Sequence, residues 1–128
     1  MTGARVALAS RYLKDDDEDL FLTYGDGVSD VNLFELLRHH HRHSRAATIT
    51  AVHPPGRFGE LTLDGDNVKK FSEKSQVEST WINGGFMVLR RRFLDDYLSS
   101  HPDLKLEQER LQTAAKDGEI SAFVHRGF

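Results

Sequence analysis

The chain has 128 residues, 38% hydrophobic and 29% charged, with a net charge of -3 and no cysteine. This suffices for one domain with its own core and gives no global basic field to recruit nucleic acid. It excludes a disulfide framework, thiolate zinc and a cysteine nucleophile, as suits a cytoplasmic protein.

No apolar run approaches the roughly 18 residues of a membrane span, and MTGARVALASRYLKDDDED lacks the continuous apolar stretch of a signal peptide. Residues 2–13 are expected to form a short helix or turn carrying Arg5 and Arg11, and Lys14 to Asp19 a solvated acidic loop in which nothing fixes the carboxylates. Leu20 to Tyr24 is short, apolar and strand-like, and ends in Gly25-Asp26-Gly27. Ser29 or Asp30 is expected to cap a helix running to about His43, with Leu33, Phe34 and Leu37 on one face. His39 and His43, four apart, share a side of that helix as metal ligands can, but no third ligand is placed near them and cations suit a helix C-terminus.

Ala46 to Val52 alternates as a second strand. Pro54 to Gly59 is a rigid turn into a third, Glu60 to Leu63. Asp64-Gly65-Asp66-Asn67 is a hairpin signal leading into Val68 to Phe71. Ile82 to Leu89 is a further strand with Gly84 and Gly85 near its start; glycines there weaken a strand unless something must approach the backbone closely. Arg91 to Leu98 and Leu106 to Lys116 read as helices, the second stopped at Gly118, and Ile120 to Val124 as a last strand. Strands interleaved with helices imply an α/β fold with helices on both faces of a sheet that the hairpin makes mixed.

Three stretches put a polar residue or a glycine at a strand end, where open α/β sheets bind ligands: Gly25-Asp26-Gly27, Glu73-Lys74 and Asn83-Gly84-Gly85. A lone Asp there suits Mg²⁺, which takes one or two carboxylates and completes its shell with water and phosphates. Lys74 is a point charge for a phosphate, and Asn83 a partner for a sugar hydroxyl. Each also has a plain reading: a turn, a solvated ion pair, a tight spot in a strand. No P-loop, G-x-G-x-x-G, G-x-S-x-G or H-E-x-x-H is present.

Taken in order, Thr2-Gly3-Ala4-Arg5, LTYGDGVSD, TAVHPPGRFGEL, FSEKS, WINGGFMVL, LEQERL and KDGEI resemble the glucose-1-phosphate cytidylyltransferases over nearly the whole chain. The resemblance implies a Rossmann-like nucleotide-diphospho-sugar transferase fold and a Mg²⁺-dependent reaction of CTP with glucose 1-phosphate. The products would be CDP-glucose, for surface-polysaccharide (O-antigen) biosynthesis, and pyrophosphate. It implies Asp26 as the metal ligand, Lys74 on the sugar phosphate and Gly25 beside the nucleotide. Arg5 would contact substrate, and Gly59, Glu73, Asn83 and Gly84 would form the sugar pocket. Neither nucleic acid nor membrane is an implied partner, and family members are commonly homo-oligomers.

The chain departs from the family pattern. By the resemblance, a G-G-x-G-T-R-L loop is expected before Thr2 and a second metal-binding Asp after an H-x-G-F-W segment, and neither motif is found within these 128 residues. Ala4, Ser75 and Arg110 replace a glycine and two prolines. The expectation is therefore that these 128 residues are inactive by themselves and expose a sheet edge that promotes self-association. The alternative is a non-catalytic relative that keeps sugar-phosphate binding or a structural role.

Overall fold

The computed structural model describes residues 2–53, 59–73, 81–98 and 106–127. The elements in chain order are α1 (Thr2–Ala9), with a 3₁₀ turn over Ser10–Tyr12, then β1 (Asp19–Leu22), α2 (Leu33–His41), β2 (Ala47–Val52), β3 (Gly59–Asp64) and β4 (Asn67–Glu73). They continue with β5 (Ile82–Arg90), α3 (Arg91–Tyr97), a π turn over Leu106–Arg110 that runs into α4 (Leu111–Lys116), and β6 (Ile120–Val124). A four-stranded sheet has the order β1-β5-β2-β6. β5 is antiparallel to both β1 and β2, and β6 is parallel to β2, so β1, β2 and β6 all point the same way. The sheet is mixed because of β5. The β3–β4 hairpin, expected to cause the mixing, forms a separate two-stranded sheet. Its two-residue loop has Gly65 at φ +58, where a II′ turn places its glycine.

Period-2 alternation sorts the strands onto two faces. Leu20, Leu22, Ala47, Ile49, Met87, Leu89 and Ile120 meet Val6, Ala7, Phe93, Leu94, Tyr97, Leu106, Leu111 and Ala114, so α1, α3, the π turn and α4 cover one face. The opposite face carries Thr48, Val88 and Ser121, and α2 lies there, with His39 and His40 bonded to Ser121 and Thr48. Tyr97 Oη donates to Asp117 Oδ2 at 2.7 Å, tying α3 to the end of α4. Gly118, at φ +73, stops that helix as expected.

Three local expectations are corrected. Asn32, not Ser29 or Asp30, caps α2: its side chain accepts from the N–H groups of Phe34 (3.0 Å) and Glu35 (3.1 Å). Ser29 instead accepts from Val31 N–H, and Asp30 is bonded to His125. The buried positions of α2 are Leu36 and His40, four apart and so on one face of the helix, whereas Leu33 and Phe34 are exposed. The acidic run ends in a fixed carboxylate. Asp19 opens β1, and its oxygens lie 3.2 Å from His40 Nε2 and 2.8 Å from His41 Nε2.

The histidine-rich end of α2 is a hydrogen-bond network. Arg90 donates to the carbonyls of His40 and Arg45, both at 2.8 Å, and to that of His43, closing carbonyls that the helix end leaves open. His39 and His43 do share a side, ring centroids 5.6 Å apart, but their Nε2 atoms bond to Ser121 and Thr48.

Candidate active site

Because β1, β2 and β6 are parallel and β5 runs against them, one edge of the sheet collects the C-terminal ends of three strands and the start of the fourth. Ligands of open α/β sheets bind at such an edge. β1 delivers Tyr24-Gly25-Asp26-Gly27, closed as a turn by the bond from Gly27 N–H to Tyr24 O at 3.3 Å. Asp26 and Gly25 are exposed, and a Cβ added at Gly25 would meet nothing within 4 Å. One at Gly27 would lie 3.6 Å from Tyr24 O and 3.9 Å from the Phe86 ring.

The neighbouring strand is irregular at this level. Ile49 pairs with Met87 while Ala51 pairs with Asn83, so β5 bulges over Gly84-Gly85-Phe86. The bulge explains the glycine pair. A Cβ at Gly84 would come within 2.9 Å of Val52 Cγ1 and 3.2 Å of Thr50 O. Gly85 sits at φ +81, where an added Cβ would be 3.1 Å from the Tyr24 ring. Phe86 has φ 28, rare for a residue with a side chain, and its carbonyl accepts from buried Thr50 Oγ1 at 2.7 Å. The close approach expected at these glycines is thus made by β2 and by Tyr24.

The bulge also aims Asn83. Its Oδ1 accepts from Gly85 N–H at 2.9 Å and its Nδ2 donates to Tyr24 Oη at 3.3 Å. Tyr24 therefore joins Asp26, Gly25, Asn83 and Gly84 in one place.

Gly59 and Glu73 are opposed across the base of the β3–β4 hairpin. Lys74 and Pro54 to Phe58 lie outside the described residues. Arg5 projects from α1 onto a largely apolar cavity of about 390 Å³ shared with Leu13, Phe21, Leu22 and Leu94. Among the described residues, no hydrogen bond or ion pair joins it to Asp26 or Asn83.

The same edge holds side chains that motif reading passed over. His53 and Trp81 stack with centroids 3.4 Å apart and rings 25° from parallel. The Arg126 guanidinium lies 5.7 Å from the centre of the Trp81 ring. His125 Nε2 is 2.8 Å from Asp30 Oδ1. The signal that would have found them is the pairing of Val52 with Ile82, which makes His53 and Trp81 the next opposed positions.

As a metal ligand, Asp26 offers one open carboxylate between small residues. Among the described residues, no set of three His, Cys, Asp or Glu could hold an ion unaided. That donor set fits a hard cation whose other ligands are phosphate oxygens and water.

Residues 2–125 match the nucleotidyl transferase family model. The chain is 44% identical over 128 residues to the glucose-1-phosphate cytidylyltransferase of Salmonella typhi, covering 100% of this chain and 49% of that protein. It is 40% identical to the probable glucose-1-phosphate cytidylyltransferase of Bacillus subtilis, again over 100% of this chain and 49% of the relative. The chain thus spans about half the length of these curated relatives. Its fold resembles the crystal structure of HddC from Yersinia pseudotuberculosis, with a TM-score of 0.66 at 21% identity, over 99% of this chain and 54% of that one.

Proposed function

We propose, since the chain belongs to the nucleotidyl transferase family, that it carries the metal carboxylate and a sugar-facing wall of a glucose-1-phosphate cytidylyltransferase. The reaction is CTP plus glucose 1-phosphate to CDP-glucose plus pyrophosphate, in a cytoplasmic enzyme of nucleotide-sugar biosynthesis for surface polysaccharide such as O-antigen. One observation carries the reading: the Gly25-Asp26-Gly27 strand end and the Asn83-Gly84 bulge meet at one sheet edge, linked by the 3.3 Å bond between Asn83 and Tyr24.

In that reaction an oxygen of glucose 1-phosphate attacks the α-phosphorus of CTP in line. A P–O bond forms as the bond to pyrophosphate breaks, with no covalent enzyme intermediate. Catalysis of this kind rests on positioning and charge neutralisation. Asp26 is the residue that would hold Mg²⁺, whose contribution is to offset phosphate charge. Asn83, with its amide oxygen committed to Gly85 N–H, has an amide N–H to share with a sugar hydroxyl. The open space at Gly25 lets a nucleotide lie against the backbone. Lys74, Glu73 and Gly59 complete the proposed sugar-phosphate contacts, and Arg5 a further substrate contact.

The test is pyrophosphate release from CTP, glucose 1-phosphate and Mg²⁺, with calorimetric titration of glucose 1-phosphate alongside it. Turnover abolished by Asp26→Asn, or glucose 1-phosphate binding weakened at least tenfold by Asn83→Ala, supports the reading. Absence of both turnover and binding overturns it and leaves the non-catalytic, structural alternative.

A further inference from the structure

The proposed function uses Asp26 and Asn83 but leaves a second group at the same edge without a role. That group is assembled by strand register. Val52 of β2 pairs with Ile82 of β5, so His53 and Trp81 are the next opposed residues and stack. His53 Nδ1 is out of solvent with no hydrogen-bond partner, so its ring face is what engages Trp81. β6 pairs with β2 up to Val124 and Ala51, and the pairing is prolonged by the bond from His125 N–H to Ala51 O at 3.0 Å. Arg126 is the next residue, and its guanidinium lies over Trp81.

The backbone that bears Arg126 is fixed on both sides. His125 is bonded to Asp30 at 2.8 Å. Gly127 packs so closely that an added Cβ would stand 2.7 Å from Asp30 Oδ1. The Asp30 carboxylate is thereby taken up by His125. Among the described residues, Arg126 makes no ion pair, although it is exposed. A ring beneath a guanidinium engages its face and leaves the N–H groups in its plane free. These suit the paired oxygens of a phosphate.

We propose that Arg126, seated on the Trp81–His53 stack, binds a phosphoryl oxygen of the ligand at this edge. The identity of that ligand, a sugar phosphate or released pyrophosphate, rests on the function proposed above. The anion contact itself does not.

Trp81 is the chain's single tryptophan, so its emission reports on Arg126 directly. The full chain is titrated without metal at about 50 mM salt, using glucose 1-phosphate, inorganic pyrophosphate and neutral glucose as separate probes. The expected result is a saturable change in Trp81 emission with one or both phosphorylated probes and none with glucose. Affinity should fall at least fivefold in Arg126→Gln, recover in part in Arg126→Lys, and stay within twofold of wild type in Arg42→Gln, which removes an exposed cation just after α2. Trp81→Phe, followed by calorimetry, should weaken binding less than Arg126→Gln does.

Unchanged phosphate affinity in Arg126→Gln overturns the proposal, as does an equal loss in Arg42→Gln. Saturable pyrophosphate binding through Arg126, with neither turnover of CTP nor binding of glucose 1-phosphate, would retain this contact while the enzyme reading fails. Turnover by an enzyme whose affinities ignore Arg126 would do the reverse.

Discussion

Thr48 Oγ1 lies 2.7 Å from His40 Nδ1 and 2.7 Å from His43 Nε2, so one hydroxyl joins two imidazoles. The surrounding contacts admit one placement of protons. Arg45 N–H can only donate, so His43 Nδ1, 3.0 Å away, carries no proton and Nε2 must. Thr48 then accepts from His43 and donates to His40 Nδ1. This leaves the His40 proton on Nε2, facing Asp19. Protonating His43 would set its Nδ1–H against the Arg45 N–H, and protonating His40 would take from the Thr48 hydroxyl the nitrogen to which it donates.

The network accordingly makes the fold acid-sensitive. Burial, then the charge of Arg90, lowers the His40 pKa from 6.5 to about 4, although Asp19 opposes the shift. Burial, then His39, lowers that of His43. A folded pKa below the unfolded value means that the unfolded chain binds more protons between pH 6.5 and 4. Stability is therefore full above pH 6.5 and lost as pH falls toward 4, by on the order of 3 kcal/mol through His40. Urea denaturation at pH 7.5, 6, 5 and 4.5 should follow that loss. An NMR titration in which the His40 ring titrates near pH 6.5 would contradict it.

Arg90 should be irreplaceable by lysine. Its guanidinium serves the carbonyls of His40, His43 and Arg45 at once, and a single ammonium cannot reproduce that fork. Arg90→Met is expected to cost on the order of 3 kcal/mol, with Arg90→Lys recovering less than half. Full recovery in thermal or chemical denaturation would show that charge alone matters there.

The bulge glycines separate from the strand-end glycine. Gly84→Ala forces β2 backbone and Val52 apart and should cost about 1–3 kcal/mol. Gly85→Ala adds backbone strain of about 1–2 kcal/mol to a collision with Tyr24. Gly25→Ala meets open space and should fold within about 0.5 kcal/mol of wild type. A loss of ligand affinity in Gly25→Ala at unchanged stability is the expected mark of a ligand lying against that backbone.

Thr50→Val keeps the shape of a buried side chain but removes the donor to Phe86 O. It should cost about 1–2 kcal/mol and loosen the bulge that aims Asn83. Amide exchange at Gly85 and Phe86 should quicken more than at Met87 or Leu89, and uniform quickening would refute a local effect.

The strands were legible because β1, β5 and β6 are short apolar runs, β2 alternates, and the Asp64-Gly65-Asp66-Asn67 turn marks the β3–β4 hairpin. The helices differed mainly at their ends. Ser29, Asp30 and Asn32 are all competent caps, and only the engagement of the first two elsewhere selects Asn32. His40 could not be read as buried. Its partners Asp19 and Thr48 come from two strands, and histidines at a helix end ordinarily suit solvent. Within the candidate site, Asp26, Asn83 and Gly84 stand in contiguous motifs and can be named from the sequence. His53, Trp81 and Arg126 come from three strand ends that coincide only once the register of β2 against β5 and β6 is set.

The His53–Trp81 stack has a further consequence. The chain leaves the main sheet at His53 and re-enters it at Trp81, so the stack closes the neck of the excursion containing the β3–β4 hairpin. The entropy of closing a flexible loop rises by only about 0.6 kcal/mol per doubling of its length, and Val52 and Ile82 already hold these ends together. The geometry of the sheet edge is thus uncoupled from the length of the excursion: resizing it should leave the sheet in place while removing the substrate contacts proposed for Gly59, Glu73 and Lys74.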